Sequence, residues 1–243
     1  MTKIKLIFIK TPKTTISLAE QLLKKRIDAN QVEELFLEIH VKENVQCTVK
    51  DDLLSLGIHS CSIKAEIEKN ASLNLQASFL CPILAPGCKK RCCALPAHSK
   101  ITREIDCTLS KDGASANTKI RFAGGKKRIL DLKILKNHIG QATQSSTCVK
   151  SVLDKEAQIK CLTHGHVASS AKGSKVNQSN KNLILSKKTN IFSVPSLCSK
   201  TDDVECSHSS TASCIDENIM FYLESRGISK TVAKEILVGA YLK

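Results

Sequence analysis

From residue 37 onward the chain is a succession of short runs in which apolar and polar side chains alternate: LEIHV, VQCTV, CSIKAEI, SLNLQASF, REIDCTL, NTKIRF, ILDLKIL, CVKSVL, AQIKCL and NLILS. Period-two alternation puts every second side chain on one face of an extended strand, and the Asn, Gly, Lys and Asp residues between the runs form turns. An all-β body is predicted. A local grammar also recurs, a polar turn followed by a small residue and then alternation, in KENVQCTV from residue 42, EKNASLNL from 68, KDGASANTK from 111 and DKEAQIKC from 154. Ala71, Ala114 and Ala157 hold the same place in three of these units, 43 residues apart each time. Equal spacing suggests a β-solenoid whose coils stack equivalent faces. Turn-plus-strand units also occur in sandwiches and barrels, so the pattern alone leaves those open.

The chain has 243 residues, enough for one large domain or a domain with a small appendage. It contains no Trp, six Phe and two Tyr, so a core must be built from Ile, Leu, Val, Ala and Cys, which suits stacked β layers. Residues 1–36 form a separate N-terminal segment, partly helical, because ISLAEQLLKKRI at 16–27 carries a helix-like apolar pattern. Residues 37–214 form the β core, interrupted by CPILAPGCKKRCCALPAH at 81–98, whose three prolines demand a loop or excursion. Residues 215–243 read as a helical subdomain. Asp216 is a good N-cap, Gly227 stands where a helix end needs a left-handed residue, and a second helix can start at Ser229. Two such short helices cannot form a core of their own and must dock on the β body or on another protein.

Lys and Arg number 37 against 23 acidic residues, a formal charge of +14. The lysines are dispersed among polar turns, with a few compact runs such as KKR 89–91 and GKKR 125–128, the pattern of a solvated surface. No basic segment is interleaved with stacking aromatics, so nucleic acid is not expected as a partner. MTKIKLIFIKTPK at the start has four apolar residues before a charge and a proline, unlike a secretory signal, and no apolar run is long enough to span a bilayer. The expectation is a cytoplasmic protein whose twelve cysteines are mainly reduced thiols.

Three groups of side chains could carry chemistry. Cys206 and His208 in VECSH would project from one face if that segment is a strand, and both are soft ligands, yet a metal site takes three or four. Spacing alone therefore favours an interior Cys beside a satisfied His. Cys88, Cys92, Cys93 and His98 offer enough ligands for zinc at uncommon intervals, so they stand as a weak alternative metal site. His164 and His166 read as a surface pair. No GxSxG, HExxH, Walker A or GxGxxG occurs, and a self-contained enzyme is not expected.

Three segments carry a resemblance. QSNKNLILS at 178–186, DDVECSH at 202–208 and IDENIMFYLESRGIS at 215–229 resemble, in order and approximate spacing, the C-terminal part of the SufB/SufD family, the scaffold subunits of the SUF iron-sulfur cluster assembly machinery. DDVECSH is similar to SufD rather than SufB. The resemblance covers residues 178–243 and extends back to about residue 100. It implies a right-handed parallel β-helix followed by a small helical domain. It also implies partners: a SufB-like paralogue joined through the β-helices, and the ATPase SufC bound by the helical domain, with a homodimer where the paralogue is absent. Cys206 and His208 fall on the Cys-Ser-His element near the SufB-SufD interface, where the His is implicated in building the nascent cluster. Tyr222, Arg226 and Gly227 fall on the element near the SufC-binding region. No cofactor is expected to be bound tightly by the isolated chain, only iron or a transient cluster at the interface. Ser209 and Ser210 stand where the family has Gly-Ala, and the chain is shorter than a typical SufD. The competing reading is a basic β-helix binding module without an assembly role, one that would use its Lys-rich loops on nucleic acid.

Overall fold

The computed structural model describes residues 14–24, 32–80 and 99–243. Among them, β1 (Thr14–Ser17), β3 (Gln46–Asp51), β5 (Ser72–Leu80), β7 (Ser115–Gly124), β9 (Gln144–Leu153), β11 (Ser174–Ile184) and β13 (Val204–Cys214) line up in that order as one sheet, the odd sheet. A second, even sheet is formed by β2 (Glu34–Val41), β4 (Ser60–Ile67), β6 (Lys100–Leu109), β8 (Ile129–His138), β10 (Gln158–Val167) and β12 (Asn190–Ser199). Consecutive strands alternate between the sheets and each pairs in parallel with the strand two before it. The chain therefore advances one coil for every two strands, a parallel β-helix of about six turns.

The alternation in the sequence is what allows this. Along β2, β3, β4 and β6 every second residue is buried and the others face out. Stacking keeps the same parity in every coil, so Leu35, Leu37 and Ile39 of β2 lie beside Cys61, Ile63 and Ala65 of β4 in one apolar interior. Full burial of each Leu or Ile there contributes about 1.5–3 kcal/mol. The interior then changes character. From β7 onward buried inward positions include Thr118, Thr147, Ser151, Thr163, Gln178, Asn180 and Asn182.

The true repeat is not the 43-residue interval of the sequence. Ser115 pairs with Gln144 and Gln144 with Lys175, offsets of 29 and 31 residues. The interval from Ala71 to Ala114 is one coil lengthened by the 81–98 segment, because Ser72 pairs with Ser115. Ala157 precedes β10 in the even sheet and lies at a different corner, one and a half coils on. The equal spacing was a coincidence, although the solenoid it suggested is correct. At the shared corner the backbone makes a ladder: Asn44, Asn70, Gly113, Ala142 and Gly173 all have positive φ, between 52° and 69°. The N–H of each donates to a carbonyl of the next coil, as from Ala142 to Lys172 at 2.8 Å and from Gly173 to Asp203 at 2.7 Å.

The sequence placed no strand at 190–199, where Pro195 interrupts the pattern. β12 tolerates it because, among the described residues, it is the edge strand of the even sheet and pairs with β10 alone. At the other end α1 (Leu18–Lys24) buries Leu18 and Leu22 in the core, and Asp52 accepts from the Ala19 N–H at 2.8 Å and the Ser17 hydroxyl at 2.6 Å. The chain ends in α2 (Glu217–Ser225) and α3 (Lys230–Leu242). Val238 and Leu242 of α3 pack on the outer face of the odd sheet against Ala123, Val152 and Leu183. The last carbonyls of α3 receive Lys150 Nζ at Tyr241 (3.0 Å) and Arg121 at Lys243 (3.1 Å), cations where the helix dipole favours them. No helix among the described residues is long and apolar enough to cross a membrane.

Candidate functional site at the open end of the solenoid

β13 pairs with β11 on one edge and with nothing on the other among the described residues. Its register sets Cys206 beside Val176, His208 beside Gln178, Ser210 beside Asn180 and Ala212 beside Asn182. Those four β11 residues are all buried. Cys206, His208, Ser210 and Ala212 therefore continue the inward-facing rows of the solenoid. They are exposed because no further coil among the described residues covers them.

Polar contacts hold this end in place. Gln178 accepts from the Thr163 hydroxyl at 3.1 Å and donates to the Ser196 carbonyl at 3.2 Å. Asn180 donates to Ser193 Oγ at 3.1 Å, and Ser193 meets Ser210 Oγ at 3.2 Å. Asn182 accepts from Ser151 at 2.7 Å and donates to the Thr211 carbonyl at 3.0 Å, tying three strands together. Partial burial pushes the Cys206 thiol above its ordinary pKa. Among the described residues no group of three or more His, Cys, Asp or Glu side chains is arranged to hold a metal. Cys206 and His208 are thus a thiol and an imidazole on an uncovered surface, without a third such side chain beside them among the described residues.

The other sequence candidates lie elsewhere. His164 and His166 occupy outward positions of β10, and His164 Nδ1 is 2.6 Å from Ser196 Oγ. Cys88, Cys92, Cys93 and His98 lie outside the described residues. Tyr222 and Arg226 meet at the end of α2, the guanidinium 5.3 Å from the ring centre. Gly227 takes φ 80° and its N–H bonds the Glu224 carbonyl at 3.0 Å, the left-handed stop that its position suggested. Asp216 caps α2 through the Asn218 N–H at 2.8 Å.

Sequence reasoning missed the apolar surface around Tyr222. α2 buries none of its residues: Phe221 is 74% exposed and Tyr222 57%, with Ile219, Val232 and Ile236 also exposed on the same pair of helices. The available signal was a helix whose apolar residues exceed what one docked face can bury. Between these helices and the end of β11 and β13 lies a cleft of about 660 Å³ lined by Leu185, Cys214, Ile215, Met220 and Phe221.

Comparison with known proteins fits this architecture. The family model for the SUF system FeS cluster assembly SufBD core domain matches residues 89–241, well over half of the chain. The chain belongs to the SufBD family. An iron-sulfur cluster assembly SufBD family protein of Synechocystis sp. is 35% identical over 92 residues, 38% of this chain and 20% of that protein. One of Pyrococcus horikoshii is 32% identical over 104 residues, 43% and 23% of the two chains. One of Staphylococcus saprophyticus is 29% identical over 147 residues, 60% and 31%. The match thus spans between a fifth and a third of these relatives' length. Within the SufBD core the matched region contains β13, α2 and most of α3, the elements that build the open end.

Proposed function

We propose that this SufBD family chain is a SufD-like, non-catalytic scaffold subunit of a SUF complex, joined to a SufB-like paralogue at the open end of its solenoid and to a SufC-like ATPase through α2 and α3. The supporting observation is the inward-parity row on β13, which leaves Cys206 and His208 uncovered beside a free strand edge. Free edges of β12 and β13 are templates for strands of another subunit, and main-chain pairing there would continue the sheets across the interface. A thiolate and an imidazole suit iron, and a partner would supply the ligands that this chain lacks. The nascent cluster is cargo in this reading, held between subunits and then released. The exposed Phe221, Tyr222 and Ile219 supply the kind of aromatic and apolar anchors that protein interfaces use.

The test is co-expression with the cognate SufB and SufC. One stable complex is expected, and His208→Ala should lower cluster formation on the purified complex several-fold without dissolving it. A normal cluster yield from that variant removes the role of His208. A complex that forms as well with Phe221→Asp as without it removes the role given to α2.

A further inference from the structure

Lysines stand on the outer faces of both sheets, but the acidic residues that could balance them are concentrated on one. On the outer face of the even sheet, acids at Glu34, Glu38, Glu66, Glu104, Asp106 and Asp131 are mixed with lysines, and several are paired, as Lys133 with Glu104 at 2.6 Å and Lys100 with Asp131 at 2.8 Å. The outer face of the odd sheet is different. Its outward positions from β3 to β13 carry Lys50, Lys119, Arg121, Lys150, Lys175 and Lys181, and a single carboxylate, Glu205, bound to Lys175 at 2.7 Å. Neighbouring outward positions hold hydroxyls and amides, for example Thr48, Asn74, Asn117, Ser146, Asn177 and Ser207 in one register row.

Register puts Arg121, Lys150 and Lys181 side by side on β7, β9 and β11, where like charges opposed across a ladder cost stability. Arg121 and Lys150 are occupied by the end of α3. Lys50, Lys119 and Lys181 are exposed and have no acidic partner among the described residues. With strands about 4.8 Å apart, these three cations follow one another at steps of about 10–12 Å over roughly 20 Å. A charge array without compensation, set among neutral hydrogen-bond donors, matches phosphate oxygens, which Lys, Ser, Thr, Asn and Gln side chains commonly contact. No aromatic side chain points out from the exposed part of this face, so it offers no platform for unpaired bases.

We propose that the outer face of the odd sheet is a sequence-independent binding surface for the phosphate backbone of a nucleic-acid duplex. It is independent of the open-end site, which uses the opposite parity of the same strands. The experiment is fluorescence anisotropy of a labelled DNA duplex of about 20 bp with the full chain, between about 50 and 200 mM salt. The triple change Lys50→Ala, Lys119→Ala, Lys181→Ala is compared with Lys64→Ala, Lys133→Ala, Lys160→Ala on the even sheet, which removes the same charge. Circular dichroism checks that both variants stay folded. The first triple should weaken binding tenfold or more near 100 mM salt and lower the slope of log K against log salt by about 3, whereas the second should change Kd less than about threefold. Equal loss from both triples, or no duplex binding at about 50 mM salt, overturns the proposal. So does preference of the wild-type chain for phosphatidylserine vesicles over the duplex.

Discussion

Arg103 is a cation placed inside an apolar solenoid, and its removal should be among the most damaging single changes. Its side chain and that of Asp51 are 0% and 1% exposed. The guanidinium bonds both Asp51 oxygens, the carbonyls of His59 (2.7 Å) and Thr102 (2.9 Å), and stacks 5.1 Å from the Phe79 ring centre. Asp51 also accepts from the Leu53 N–H at 3.3 Å, so the pair clamps the turn between β3 and β4. Replacing a buried pair by apolar groups can be neutral, but removing one partner strands the other charge in low dielectric and costs about 3–5 kcal/mol. Arg103→Met should therefore cost about that much, against a total stability of about 5–15 kcal/mol. For a chain of this size the loss corresponds to a fall in Tm of about 6–20 °C. Asp51→Asn added to Arg103→Met removes the stranded charge and should recover at least about 1 kcal/mol. Denaturant titration of the wild type, both single variants and the double variant gives the coupling directly. A cost below about 1 kcal/mol for Arg103→Met, or a double variant equal to the sum of the singles, would refute the reasoning.

Two further predictions concern the later coils. His138 is buried between the Thr143 and Ser145 hydroxyls, 2.8 Å from each, and burial, followed by the nearby charges of Lys136 and His166, holds its pKa down to about 4. In the unfolded chain the imidazole takes its proton near pH 6.5, whereas the folded chain refuses it until about pH 4, so stability is full above pH 6.5 and falls as pH drops through that window. The loss should total about 3 kcal/mol, and His138→Gln should flatten that part of the pH–stability profile. A profile unchanged by the substitution would assign the acid sensitivity elsewhere. Ala142 holds φ 52° in the corner ladder between Gly113 and Gly173. A non-glycine residue in that region costs about 1–2 kcal/mol, partly offset by the greater unfolded-state freedom of glycine, so Ala142→Gly should stabilise by about 0.5–1 kcal/mol in thermal melts.

The strand pattern was readable because burial on one face of each strand leaves period two in the sequence, and a solenoid repeats that parity coil after coil. β1 was not, since four residues at the edge of the odd sheet carry too short a pattern, and Pro195 concealed β12. Coil length was misread for a physical reason: equivalent alanines exist at two different corners, and a spacing cannot tell which sheet follows each one. The charge asymmetry between the faces was equally hidden, because Lys50, Lys119 and Lys181 are far apart in sequence and meet only through register.

For Cys206 and His208 the spacing established a shared face and nothing more. What makes the pair a candidate is the fate of that face. In the first coils the inward rows are apolar, and Leu35, Ile63 and Ile105 stabilise neighbouring strands by burial. The last coils cannot use that device, because a row left uncovered would expose a hydrophobic stripe to water. Gln178, Asn180 and Asn182 replace it with hydrogen bonds that align β11, β12 and β13 yet tolerate solvent at the end of the stack. α3 restores the lost apolar burial from outside, at Ala123, Val152 and Leu183. The solenoid can therefore end on a polar row whose inward positions carry a thiol and an imidazole open to solvent, and α2 remains beside it with its apolar residues unburied.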